Sequence, residues 1–184
     1  MSRLFVSIDP PQSIRKILTA LDPSIRGVRW TPVDQIHLTL GFFPDVTETV
    51  ELALREKLNA IEFRAFFLPI KGVGTFPPRG IVKIIWIGVG QGHPHLFQLH
   101  KRVQEAALAV GIEPELRPWH PHITLARCRE APHGALRKFL KSNAELDVGL
   151  SRVEAFHLYC SQLTPSGPVH TCELSVPATS NLRT

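Results

Sequence analysis

The segment "QIHLTLGFF", residues 35–43, places a histidine and a threonine two apart inside an apolar run, and "PWHPHITLARC", residues 118–128, repeats the pattern. In a strand, successive side chains point to opposite faces. His37 and Thr39 therefore share one face and Ile36, Leu38 and Leu40 the other, while His122 and Thr124 stand likewise against Ile123 and Leu125. At ~3.4 Å per residue, each pair holds an imidazole and a hydroxyl about 7 Å apart along its strand. If two such strands lie side by side about a pseudo-two-fold axis, two imidazoles and two hydroxyls meet in one small volume. That volume suits a phosphate. Threonine hydroxyls donate to non-bridging oxygens, and two histidines on opposite sides give and take protons in an in-line displacement. With an ordinary pKa near 6.5, one ring can be protonated and the other neutral near physiological pH.

Two rival chemistries use the same residues less well. His93-x-His95 and His120-x-His122 could each supply two zinc ligands. No carboxylate or thiolate stands at ligand spacing, however, and Pro94 places the first pair in a loop or helix start. A serine hydrolase would need a G-x-S-x-G elbow, which the chain lacks. The expectation is a site with no metal and no cofactor.

The elements that must position these residues alternate between strand and helix patterns. Residues 3–8 read as a strand and 10–25 as a helix with Ile14, Ile17, Leu18 and Leu21 on one stripe. After the strand at 36–43, residues 45–61 carry a cap-like Asp45 and helical spacing at Val50, Leu54 and Leu58. Residues 63–70 and 81–89 read as strands around the turn-rich "KGVGTFPPRG". Helices are expected at about 94–110 and 133–142, flanking the second H-x-T strand, and 150–163 with 167–176 close the chain as a hairpin. The recurring order hints at a duplicated lobe. An arginine, a tryptophan and a proline precede both motifs, in "RWTPVDQIHLTL" and "RPWHPHITL". Trp30, Trp86 and Phe97 are expected in the core, Arg117 and Trp119 could line a cleft, and His120 is a mouth or packing residue.

Composition bounds the rest. The chain has 184 residues, 43% hydrophobic and 20% charged, which fits a single domain or two lobes sharing an interface. A net charge of +5 favours a polyanionic partner weakly, since the cations are scattered. The three cysteines are far apart with no C-x-x-C, so the compartment is expected to be reducing. No signal-peptide run and no window near ~18 apolar residues is present, giving a cytoplasmic address and no membrane association. Residues 1–176 are expected to form the domain and 177–184 a frayed tail.

The chain is similar to the two-histidine (2H) phosphoesterases, and within them to the RNA 2′,3′-cyclic phosphodiesterases, also called 2′-5′ RNA ligases. The matching pieces are "RLFVSIDP", "RW" then "HLTL", "GTFPPRG" followed by "IIWIGV", "RPWHPHITLAR" and "LYCSQLTPSGPV". One departure is that His170 follows "GPV" where the family often has tyrosine, at a position read as a peripheral contact. The resemblance implies an α+β bilobal fold, two antiparallel sheets facing across a central cleft with helices outside. It implies a metal-independent opening of a terminal 2′,3′-cyclic phosphate on RNA to a 2′-phosphate, with reversible 2′-5′ ligation as a companion. His37 is assigned as the acid and His122 as the base, with Thr39 and Thr124 on the phosphate. Phe42 matches an aromatic residue that stacks on the terminal base, and Arg127 an arginine that contacts the scissile phosphate. Neither an obligate protein partner nor an oligomer is implied.

Strict alternation objects to the last two, because it puts Phe42 and Arg127 on the core face. The conflict disappears if each strand bends or ends near Gly41 and Ala126. Two alternative functions stay open: an RNA-binding module that holds phosphate without turnover, and a 2H enzyme acting on a small cyclic nucleotide phosphate.

Overall fold

The computed structural model describes residues 1–179 apart from 90–92, 114, 116 and 166. In chain order the elements are β1 (Ser2–Ile8), α1 (Gln12–Ala20), β2 (Val28–Trp30), a 3-10 turn at Val33–Gln35, β3 (Leu38–Val46), α2 (Glu48–Asn59), β4 (Phe66–Lys71) and β5 (Val73–Phe76). Then come β6 (Ile84–Gly88), α3 (Pro94–Ala109), β7 (His122–Cys128), α4 (His133–Asn143), β8 (Asp147–Val153), β9 (Ala155–Thr164) and β10 (Gly167–Pro177).

The pairing of these strands is a palindrome. One sheet runs β10-β9-β1-β3-β7-β6-β5, with β2 added to β7, and β4 pairs β8 in a second, two-stranded sheet. Setting β1-α1-β3-α2-β4-β5 against β6-α3-β7-α4-β8-β9 makes each of these elements the counterpart of another, with β2, β10 and the 3-10 turn left outside the pattern. Each half hands its last strand to the other half, β5 to β6 and β9 to β1. The two H-x-T strands themselves touch where β3 meets β7, through the single residue pair Leu38 and Ile123. The α+β class with two antiparallel sheets is as expected, but the division is eight strands and two. That one contact between the H-x-T strands joins the lobes' strands into one sheet.

One face of the large sheet is closed by helices. Leu4, Val6, Ile8, Leu38, Leu40, Ile85, Ile87, Ile123 and Leu125 are buried there. Against them α3 lays Leu96, Leu99, Val103, Ala106 and Ala107, and α2 lays Leu54 and Leu58. The stripe of α1 is narrower than expected, since Ile14 and Leu18 are buried but Ile17 is 48% exposed. Thr47 rather than Asp45 caps α2, its hydroxyl accepting the Val50 N–H at 3.4 Å.

Three other expectations change. β5 lies inside the stretch read as turns, where glycine and proline mask a short strand that needs only its partner β6. Residues 150–153, expected in the closing hairpin, belong instead to β8, which pairs with β4, so the hairpin is β9 with β10. The tail is held beyond residue 176: the Ala178 N–H donates to Glu154 O, and Thr179 donates from its N–H and its hydroxyl to Phe63 O. Residues 180–184 lie outside those described. Among the described residues no helix is long and apolar enough to cross a membrane.

Candidate active site

The contradiction over Phe42 and Arg127 is resolved by two β-bulges. Ser7 of β1 pairs with Thr39 and the next residue back, Val6, with Gly41, so Leu40 is the extra residue in β3. In the second half Trp86 pairs with Thr124 and Ile85 with Ala126, leaving Leu125 as the extra residue in β7. Each bulge inverts the parity of the strand beyond it. Leu40 and Gly41 are both buried, as are Leu125 and Ala126, so Phe42 and Arg127 emerge on the face of Thr39 and Thr124. The carbonyls turned aside find other donors: Gln104 Nε2 binds Leu40 O at 3.0 Å and the Thr31 N–H binds Leu125 O at 2.8 Å.

His37, Thr39, Phe42, His122, Thr124 and Arg127 consequently line one open cavity of ≈ 460 Å³. Both imidazoles are oriented by the main chain. His37 Nδ1 lies 2.8 Å from Gln35 O and His122 Nδ1 lies 2.7 Å from His120 O. A carbonyl only accepts, so Nδ1 carries the proton in both rings and Nε2 is left to exchange protons with a ligand. Burial lowers the pKa of His37; the Gln35 carbonyl and then Asp9 act upward, and the charges of His170 and His122 downward. Burial likewise lowers His122, with the His120 carbonyl acting upward and the His120 ring downward. Asp9 is itself held by the Ser7 hydroxyl at 3.1 Å and the Tyr159 hydroxyl at 2.6 Å.

Phe5 stacks on His37 with centroids 4.9 Å apart, whereas Phe76 meets His122 edge-on at 5.0 Å. His120 packs between Phe76 and Trp86, as a packing residue whose carbonyl also sets its neighbour's tautomer. Trp30 is half-buried: it packs against the core and also lines the cavity wall, its Nε1 donating to Leu18 O at 3.0 Å. Phe97 is 40% exposed and Trp86 half-buried beside His120. Trp119 stacks on His100 and donates to Thr39 O, bracing β3 from outside the cavity, and Arg117 is exposed beside Glu115. His93 and His95 stack on Phe66 instead of joining His120 and His122. Among the described residues, no group of three or more His, Cys, Asp or Glu side chains is placed to hold a metal.

Among the cavity residues that local spacing did not point to, four are charged or aromatic and stand nearest the chemistry. Arg3 and Phe5 come from β1, and Arg29 stands opposite Arg127 in the β2–β7 register. Gly167, at φ +128°, leaves room for the Arg29 guanidinium, which a Cβ there would approach to 2.8 Å. The fourth, His170, is no peripheral contact: it lines the cavity with its ring 6.1 Å from that of His37 and edge-on to Phe5 at 4.9 Å. Alternation along β1 was the available signal, since Leu4, Val6 and Ile8 are core and Arg3 and Phe5 therefore face the histidines.

A duplicated lobe that brings two H-x-T motifs into one cavity defines the 2H class of phosphoesterases. The chain belongs to the LigT-like phosphoesterase family, whose model matches it twice, at residues 8–86 and 87–170, once for each half of the palindrome. It is 34% identical to an RNA 2′,3′-cyclic phosphodiesterase of Aeropyrum pernix over 82% of this chain and 86% of the relative. It is 30% identical to one of Methanocaldococcus jannaschii, over 91% of this chain and 96% of the relative. Among solved structures it is similar to E. coli LigT complexed with 3′-AMP, with a TM-score of 0.79 and 26% identity over 97% of this chain and 99% of that one.

Proposed function

We propose that this protein opens the 2′,3′-cyclic phosphate at an RNA terminus to a 2′-phosphate, with His37 as general acid and His122 as general base and no metal. Water attacks phosphorus as His122 Nε2 takes its proton. The bond to the 3′-oxygen breaks as His37 Nε2 supplies a proton to that oxygen. Thr39, Thr124 and Arg127 hold the non-bridging oxygens, where charge gathers in the transition state. The terminal base lies against Phe42, which is 43% exposed on the cavity wall. With an RNA 5′-hydroxyl in place of water the same steps give a 2′-5′ bond. The setting is a monomer in the cytoplasm, and the reducing compartment is supported by three free thiols, Cys128, Cys160 and Cys172.

The observation that carries this reading is the matched pair of imidazoles in one cavity, each with its proton held on Nδ1 by a carbonyl and its Nε2 free to act. A site that only held phosphate would be served by arginine or lysine. The charge of Asp9 acts to hold a proton on His37, against the larger lowering by burial.

The test is incubation of a short RNA ending in a 2′,3′-cyclic phosphate, with and without a chelator. The expected product is a 2′-phosphate at an unchanged rate. A 3′-phosphate product, or activity lost to the chelator and restored by zinc or manganese, would overturn the proposal.

A further inference from the structure

Three arginines line the cleft, and the reacting phosphate accounts for Arg127. Arg127 and Arg29 face each other from β7 and β2 on the second lobe. Arg3 stands on the first lobe, on the cleft face of β1, where Phe5 stacks against His37. Two residues further along the same face, Arg3 starts about 7 Å beyond Phe5. Its guanidinium carbon lies 4.8 Å from the centre of the Phe42 ring. Arg3 is exposed, and it forms no ion pair with any described residue. Its charge acts on His170 across the cavity.

A cyclic phosphodiester carries one negative charge, which Arg127, the threonines and the imidazolium meet. A single nucleoside 2′,3′-cyclic phosphate offers Arg3 nothing further. The end of an RNA chain does, because the terminal ribose bears a second phosphodiester on its 5′ side. A chain end seated with its cyclic phosphate between the threonines and its base on the face of Phe42 away from Arg3 would bring that second phosphate toward the Arg3 side chain. The ring of Phe42 holds the guanidinium in place beforehand, so less freedom is lost on binding. The planar fork of arginine also suits phosphate oxygens.

We propose that Arg3 binds the internal phosphodiester on the 5′ side of the terminal nucleotide, making the cleft a site for the end of an RNA chain rather than for a lone nucleotide. The inference rests on the cyclic-phosphate reading of the cleft. It extends that reading to a specificity-determining residue.

The experiment compares wild type with Arg3→Gln on three ligands: a dinucleotide ending in a 2′,3′-cyclic phosphate, its analogue with a neutral methylphosphonate internal linkage, and a mononucleoside 2′,3′-cyclic phosphate. A charge-assisted hydrogen bond lost from the dinucleotide raises its KM about tenfold to a hundredfold with kcat retained. The other two ligands should change less than about twofold, because neither carries the second charge. Equal losses on all three would place Arg3 at the reacting phosphate or in the fold, and no loss on the dinucleotide would remove it from the site; either overturns the proposal. Calorimetric affinities for the 2′-phosphate-ended dinucleotide and its neutral analogue give the same cycle without turnover. If wild type opens none of the cyclic phosphates, the reaction reading fails while Arg3 is still decided by binding.

Discussion

Five residues beyond its histidine the first half-site presents Phe42 and the second Arg127, on strands bulged at equivalent positions. Around His37 stand Phe5, His170 and Asp9; around His122 stand Phe76, Trp86 and His120. The backbone is the same in both, down to the carbonyl that orients each ring. The comparison teaches that the duplicated part decides where side chains point, and the unduplicated part decides what they do there. One half offers a flat apolar ring with a cation over it, suited to a base. The other offers opposed guanidinium groups, suited to an anion.

Removing the histidines in turn should have the largest effect on the two half-sites. His37→Ala and His122→Ala should each lower the rate roughly 10²- to 10⁴-fold, with the double variant little worse than either, because acid and base act on one transition state. If either single variant keeps more than about a tenth of the activity, that half-site is not catalytic. The pH profile assigns the roles. Burial lowers both pKa values, so the base stays neutral, and the free acid sheds its proton, at lower pH than an ordinary imidazole. The optimum of kcat/KM should therefore lie on the acid side of ~6.5. His122→Gln should flatten the acidic limb and His37→Gln the basic limb; the reverse pattern would exchange the assignments. The limbs of the wild type belong to the pair, since the charge of His122 acts on His37.

A smaller effect separates the two residues beyond the bulges. Arg127→Met should lower kcat and kcat/KM together, by roughly 10²-fold for a donor aimed at developing charge. Phe42→Ala should instead raise KM for RNA while sparing kcat, by the ~1–3 kcal/mol that stacking on a base contributes. Steady-state kinetics that show the same split for both variants would erase the proposed division of labour.

The smallest effect lies in the bulges themselves. The first contains Gly41 and the second Ala126, so only one has a Cβ. A Cβ at Gly41 would come to 2.9 Å from Phe43 Cζ and 3.0 Å from Gln104 Nε2, the atom that binds the Leu40 carbonyl. Gly41→Ala should cost about 1–3 kcal/mol by overpacking, a few degrees of Tm for a chain of this length, whereas Ala126→Gly should cost about 0.5–1 kcal/mol. A neutral Gly41→Ala in thermal melts would mean that Phe43 and Gln104 give way freely.

The legible parts of this molecule are those written locally. Both H-x-T motifs, the helices at 94–109 and 133–143, and the face shared by histidine and threonine follow from spacing alone. Even the bulges were visible indirectly, as the conflict between alternation and the placing of Phe42 and Arg127. What the sequence hid depends on partners far along the chain. β5 and β8 are strands only because β6 and β4 receive them. Arg3, Arg29 and His170 reach the cleft from three separate strands, and no local period connects them. Trp86 was misplaced, and Trp30 half so, because a large indole reads as core wherever it stands, while here Trp30 packs on the core with one side on the cavity and Trp86 joins the ring cluster beside it.

The hydrogen bond from each imidazole to the carbonyl two residues before it has a bearing on how such a molecule could arise. An orienting carboxylate would have to be recruited from elsewhere in the fold and kept in step with its histidine. A main-chain acceptor travels with the segment, and substituting Gln35 or His120 leaves its carbonyl in place. The four residues from Gln35 to Leu38, and from His120 to Ile123, are thus a transferable unit: copying the stretch copies the tautomer. A half-site of this kind needs no second inheritance to become a pair, only a neighbour turned to face it.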